Sequence, residues 1–137
     1  MEKRFRKFIF HSSQAILAWL LNILFSILPL DWASGLGGWI GQKIGPRLRA
    51  TQTARRELNK VFPLFSKLEI EEIINGMWEN LGRTVGEHPH LAKFNPYIEN
   101  SRVEVVGGEI LDQSRDDGEP GIAFSAHLAN WELVPLT

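Results

Sequence analysis

Cysteine is absent from the 137-residue chain, which removes disulfide scaffolds, thiolate zinc sites and cysteine nucleophiles together. The absence leaves the compartment open, since proteins on either side of a membrane do without cysteine. Glycine (12) and proline (7) are in ordinary supply and 23% of residues are charged, so wholly disordered and collagen-like chains are excluded. Net charge is nearly absent too, at −1. That balance hides an asymmetry: residues 1–60 hold ten Lys/Arg against three Asp/Glu, and residues 61–137 hold five against thirteen. The basic excess lies on both sides of the most apolar segment, which points to an anionic surface as partner. Nucleic acid is not expected, because no recognisable nucleic-acid module follows.

Charge is missing altogether from Ala15 to Leu30, where only Asn22 and Ser26 are polar. As a helix these sixteen residues rise about 24 Å, short of the roughly 30 Å hydrocarbon core of a bilayer. Including Phe8–Phe10 extends the reach, with His11, Ser12, Ser13 and Gln14 at headgroup depth. Three readings compete. Ala33-Ser34-Gly35 is a passable cleavage site for a signal peptide. A buried core helix suits so short a run. An uncleaved anchor accounts for Lys3, Arg4, Arg6 and Lys7 by the positive-inside rule and for Trp19, Trp32 and Trp39 as interface residues. Membrane attachment over residues 1–32 is the expectation.

A dinucleotide loop is also missing. Gly35-Leu-Gly-Gly-Trp-Ile-Gly fails G-x-G-x-x-G because Ile40 stands where the third glycine belongs, and no strand precedes it. Gly37, Gly41 and Gly45 recur every four residues instead, a spacing that lets another helix approach closely, and Pro46 stops or kinks the helix. Lys43, Arg47, Arg49, Arg55, Arg56 and Lys60 then form either a solvated face or a surface for anionic lipid headgroups. Ser66 and Glu69 spell a capping box. Ile70, Ile73, Ile74, Met77, Leu81 and Val85 follow at spacings of three and four, which predicts a helix over about 67–86 with this stripe in the core. Glu87-His88-Pro89-His90 reads as a helix-ending turn in preference to a metal site, since Pro89 keeps the imidazoles off one helical face.

Arg102-Val-Glu-Val-Val106 alternates like a strand, residues 109–114 can form a short helix, and Asp116-Asp-Gly-Glu-Pro120 is a turn. Residues 121–126 have the length of a buried strand. Together they predict a β-α-β unit and an α/β sheet, in which chemistry gathers where a strand ends and a helix begins. That junction holds His127 and Glu132. Five residues turn a helix by about 500°, so the two could not share one helical face. The pair meets if His127 ends the strand and Asn130 or a neighbour caps a helix with Glu132 in its first turn. The carboxylate then fixes one imidazole tautomer and leaves the other nitrogen as a base. A satisfied structural histidine is the alternative on spacing alone.

The surrounding residues, Phe-Ser-Ala-His-Leu-Ala-Asn-Trp-Glu-Leu over 124–133, resemble the H-x4-D/E motif of the lysophospholipid acyltransferase superfamily. Asn130-Trp-Glu-Leu133 is similar to the lipid A (lauroyl/myristoyl) late acyltransferase family in particular. The resemblance extends through Val105-Val-Gly-Gly-Glu-Ile-Leu111, Met77-Trp-Glu-Asn-Leu-Gly-Arg-Thr84 and the basic, apolar N-terminus. Two departures stand out. Ala129 occupies a position where the family often has glycine, which bears on backbone freedom more than on chemistry. The family's catalytic domain also continues well past the motif, so the chain looks like the N-terminal part of an enzyme and is expected to be inactive alone.

The resemblance implies a membrane anchor (1–32), a helical section (33–100) and the start of an α/β catalytic domain (101–137). It implies acyl transfer from acyl carrier protein to a hydroxyl of a lipid A precursor at the cytoplasmic side of the bacterial inner membrane. His127 would deprotonate the hydroxyl and Glu132 would orient and stabilise the imidazolium. Membrane lipids are implied as surroundings; no metal or organic cofactor is implied. Ser125 could be paired with His127 as a nucleophile, but no nucleophile-elbow glycines surround it. A glycerophospholipid acyltransferase and a non-catalytic membrane-attached module are the alternatives.

Overall fold

The structure, a computed structural model, describes residues 2–133 apart from Ala123, His127 and Glu132, with side chains described from Phe10 onward. Five α-helices follow one another among the described residues: α1 (Glu2–Ile27), α2 (Leu30–Ile44), α3 (Arg49–Val61), α4 (Lys67–Glu87) and α5 (Gly108–Asp116). Short 3-10 segments lie at Gly45–Arg47 and His88–Phe94. Contacts divide the chain into two compact units, residues 1–89 and 90–137.

In the first unit α1 takes in residues 15–27 of the charge-free run and stops where Leu28 and Pro29 follow it. Proline at residue 29 offers no amide to continue the helix but suits the residue preceding α2, whose Trp32 and Ala33 amides donate to its carbonyl at 3.0 and 2.9 Å. The window Phe10–Ile27 is long and apolar enough to cross a membrane, and only 6% of it is buried. That exposure argues against the core-helix reading of this segment.

Packing in this unit centres on α2 against α4. A Cβ built on Gly37 would overlap the Gly82 carbonyl oxygen, and one on Gly41 would overlap that of Trp78. From the other side, Gly82 meets Gly37 and Gly86 meets the Ala33 carbonyl. Two glycine-bearing faces with the same four-residue spacing therefore bring the helix backbones into direct contact. Gly45 completes the row by seating the Trp78 ring, where any Cβ would stand. The close approach expected of Gly37, Gly41 and Gly45 is what the helices make.

The core stripe differs from expectation. Ile70, Ile74 and Trp78 are buried and pack with Ala54 and Leu58 of α3. Ile73, Met77, Leu81 and Val85 remain between 37% and 50% exposed. The reason is geometric: the buried face of α4 runs 70, 74, 78, 82, 86, because only that row ends in the two glycines that admit α2. The second apolar row lies beside it, turned away from that contact. The α4 N-terminus agrees with expectation, with Ser66 capping and Glu69 closing a reciprocal box.

Polar pairs tie the helices together. Arg55 of α3 donates to both Glu71 carboxylate oxygens at 2.5 and 2.9 Å, a bidentate fork. Glu79 of α4 accepts from Gln42 of α2 at 2.7 Å, and Glu87 accepts from Ser34 at 2.7 Å.

In the second unit α5 covers the short helix expected at 109–114 and begins after Gly107, whose φ of +80° favours glycine. The expected α/β sheet is not seen: the described residues include no strand. Residues 101–106 keep the alternation of half-buried and exposed side chains but pair with no neighbouring strand. Residues 121, 122 and 124–126 also lie outside any helix or ladder, with Ile122 84% and Phe124 93% exposed. Extended backbone becomes a strand only when a partner takes its amides and carbonyls, and two short strands alone are marginal in water.

Candidate active site

The proposed base and its partner, His127 and Glu132, both lie outside the described residues. The residues around them set the local chain path. Glu119 donates its amide to the Asp117 carboxylate at 2.8 Å, and Gly118 takes φ +76°, so the expected turn is made before residues 121–126. The Leu128 amide donates to the Ala126 carbonyl at 2.9 Å, and the Leu133 amide donates to the Asn130 carbonyl at 3.2 Å. The second bond closes a helical turn at the position where the sequence places the start of a helix.

Between these two bonds Ala129 adopts φ +46°. This is the left-handed region, disfavoured by roughly 1–2 kcal/mol when a Cβ is present. Ser125 is exposed, and its hydroxyl donates to the Ala126 carbonyl at 3.4 Å.

Elsewhere in the second unit the Tyr97 hydroxyl donates to Asp112 at 2.8 Å, and Arg115 pairs with Asp112 and Asp116. The bond to Asp112 raises the Tyr97 phenol above its ordinary range, and the bond from Arg115 lowers Asp116. In the first unit, α4 ends at Glu87 and a 3-10 segment takes over at His88, the helix-ending turn expected there. Its Glu87 carboxylate holds the Ser34 hydroxyl.

A family model described as bacterial lipid A biosynthesis acyltransferase matches residues 2–137. The chain belongs to that family. No curated protein and no solved structure matches it. Membership of this acyltransferase family makes an acyl donor and a lipid acceptor the general substrate classes. It also carries the motif around residues 124–133 into a match that runs from the first helix to the end of the chain.

Sequence reasoning missed the partner glycines of the interhelical contact. Gly82 and Gly86 show the same spacing of four as Gly37 and Gly41, and that repetition was the available signal. Thr51 was also missed: it is fully buried and takes the Trp78 indole N–H at 2.8 Å. The basic helix α3 holds two threonines, Thr51 and Thr53, and no sequence pattern marks Thr51 as the buried one.

Proposed function

We propose that the chain is the N-terminal part of an enzyme that moves a fatty acyl group from acyl carrier protein to a hydroxyl of a lipid A precursor. In this reading the His127 imidazole accepts the proton of the attacking hydroxyl as its oxygen bonds to the thioester carbonyl carbon. The tetrahedral adduct then expels the carrier thiolate. The imidazolium returns its proton to that thiolate, leaving an ester, a thiol and a neutral histidine. Glu132 orients the ring and stabilises its cationic form. No acyl-enzyme forms, in keeping with a chain that has no cysteine.

The family match over residues 2–137, with His127 and Glu132 inside a motif-like stretch, is the observation that carries the proposal. Two local features support it: the turn that begins at Asn130 and the left-handed Ala129 between residues 127 and 132. The α/β sheet belongs to the same reading, with residues 103–106 and 121–126 as strands once they are paired. So does attachment by α1 to the bacterial inner membrane, with the site on the cytoplasmic side. The exposed apolar window Phe10–Ile27 and the basic residues on both sides of it support the attachment.

The test is an acyl-transfer assay on the full gene product, with acyl carrier protein thioester as donor. Acceptors are a lipid A precursor and, in parallel, a lysoglycerophospholipid. Ester formation on the lipid A precursor alone is expected. Transfer only to the glycerophospholipid would reassign the acceptor.

A further inference from the structure

The second apolar row of α4 borders a groove. Leu81 and Val85 line it with Leu21 and Phe25 of α1, Ile44 at the end of α2, and Leu48. The space is about 190 Å³ and its walls are almost wholly carbon, which suits an aliphatic chain and offers nothing to a polar headgroup. Leu21 and Phe25 belong to the membrane-length window of α1, so the groove is continuous with the surface that a bilayer would cover.

Cations gather at the Ile44–Leu48 end. Lys43 precedes Ile44, and Arg47 and Arg49 flank Leu48. All three are exposed, and no carboxylate pairs with any of them among the described residues. The later cations of the basic stretch are engaged: Arg55 with Glu71, and Arg56 and Lys60 with Glu57. Arg47 donates to the Lys43 carbonyl, which leaves its charge unneutralised. The charge not matched by a carboxylate therefore lies in residues adjacent in sequence to Ile44 and Leu48, two residues that line the groove.

We infer that this groove binds one anionic phospholipid of the bilayer, with an acyl chain along α1, α2 and α4 and its phosphate at Lys43, Arg47 and Arg49. The lipid is a bound structural partner and is not turned over. The inference rests on membrane attachment through α1 and is independent of the chemistry at His127.

The full chain is purified in neutral detergent and offered phosphatidylglycerol or phosphatidylcholine of matched chain length. Retained lipid is counted by native mass spectrometry. One phosphatidylglycerol per chain is expected, preferred by at least roughly fivefold over phosphatidylcholine, whose choline cation offsets its phosphate; that factor is the effect of a single Lys or Arg near a net anionic headgroup. The triple variant Lys43→Gln/Arg47→Gln/Arg49→Gln should bring the preference close to unity. Leu81→Trp, and separately Val85→Phe, should lower retention of both lipids by filling the groove. Both positions are about half exposed, and unchanged helical content by circular dichroism confirms that a variant is folded. Equal retention of the two lipids by the unaltered chain would overturn the inference. Undiminished retention in both folded groove variants would do the same. Attachment is read separately by carbonate extraction of membranes: a chain that is released yet retains phosphatidylglycerol contradicts the anchor and leaves the groove standing.

Discussion

Trp78 donates its indole N–H to the Thr51 hydroxyl at 2.8 Å, and Thr51 passes the chain on by donating to the Gly45 carbonyl at 2.7 Å. Three elements meet in that relay: α4, α3 and the 3-10 turn after α2. Thr51 is 1% exposed, so no water can replace it. Thr51→Val keeps the shape but leaves the buried Trp78 N–H without its acceptor, while the Gly45 carbonyl keeps the Leu48 amide at 2.9 Å. A loss of about 1–3 kcal/mol in unfolding free energy is expected, with Thr51→Ser retaining most of the stability. Unfolding in detergent, followed by circular dichroism, checks this, and an unchanged Thr51→Val would remove the relay from the account.

Glycines on α4 should respond in opposite directions. Gly82→Ala and Gly86→Ala set a methyl against the backbone of α2 and should destabilise by about 1–3 kcal/mol or more. Gly76 lies on the same helix with nothing within 4 Å of a built Cβ. Gly76→Ala should therefore stabilise, by about 0.5–1 kcal/mol. Thermal midpoints of the three variants decide it, and a common direction would contradict the interhelical contact.

The same contrast shows what was legible in advance. Ser66 and Glu69 marked the start of α4, Pro46 marked the break after α2, and Gly37, Gly41 and Gly45 announced a close helix neighbour. Which apolar row of α4 would be buried was not legible from hydrophobicity, because rows 70/74/78 and 73/77/81/85 are equally greasy. The choice falls to Gly82 and Gly86, whose contribution is the absence of a side chain. For residues 101–106 and 121–126 the pattern shows extended backbone but not the partner that would make a sheet. His127 and Glu132 were singled out by their chemistry and neighbours, and their mutual geometry lies outside the described residues.

Acid should loosen the start of α4 and its tie to α3. Hydrogen bonds from Ser66 hold the Glu69 carboxyl below its ordinary value of 4.5. The Arg55 fork does the same for Glu71. A carboxylate lowered in the folded state contributes stability that is fully present above the unfolded value. That contribution disappears as pH falls through the lowered one. The first unit should thus weaken below about pH 4.5. Glu69→Gln, which can still accept from the Ser66 amide, should flatten the Glu69 part of that dependence. A pH titration of the thermal midpoint checks it, and identical acid limbs in both proteins would exclude the box as a contributor.

Ala129 tests the path of the chain through the motif. At φ +46° a glycine is at ease and a β-branched residue is strained. In the full gene product Ala129→Gly should preserve or raise acyl transfer, whereas Ala129→Val should lower it at least about tenfold through misplacement of the neighbouring groups. If Ala129→Val kept full activity, the left-handed turn would have no part in positioning the site.

Acyl transfer by His127→Ala in the full gene product is the most direct measurement. Removing the proposed base should lower turnover by about 10²–10⁴-fold while membrane attachment and helical content stay unchanged. Glu132→Gln should also impair turnover, and Glu132→Asp should recover part of it because a carboxylate is restored. A His127→Ala enzyme that transfers acyl groups at the unaltered rate would contradict the mechanism.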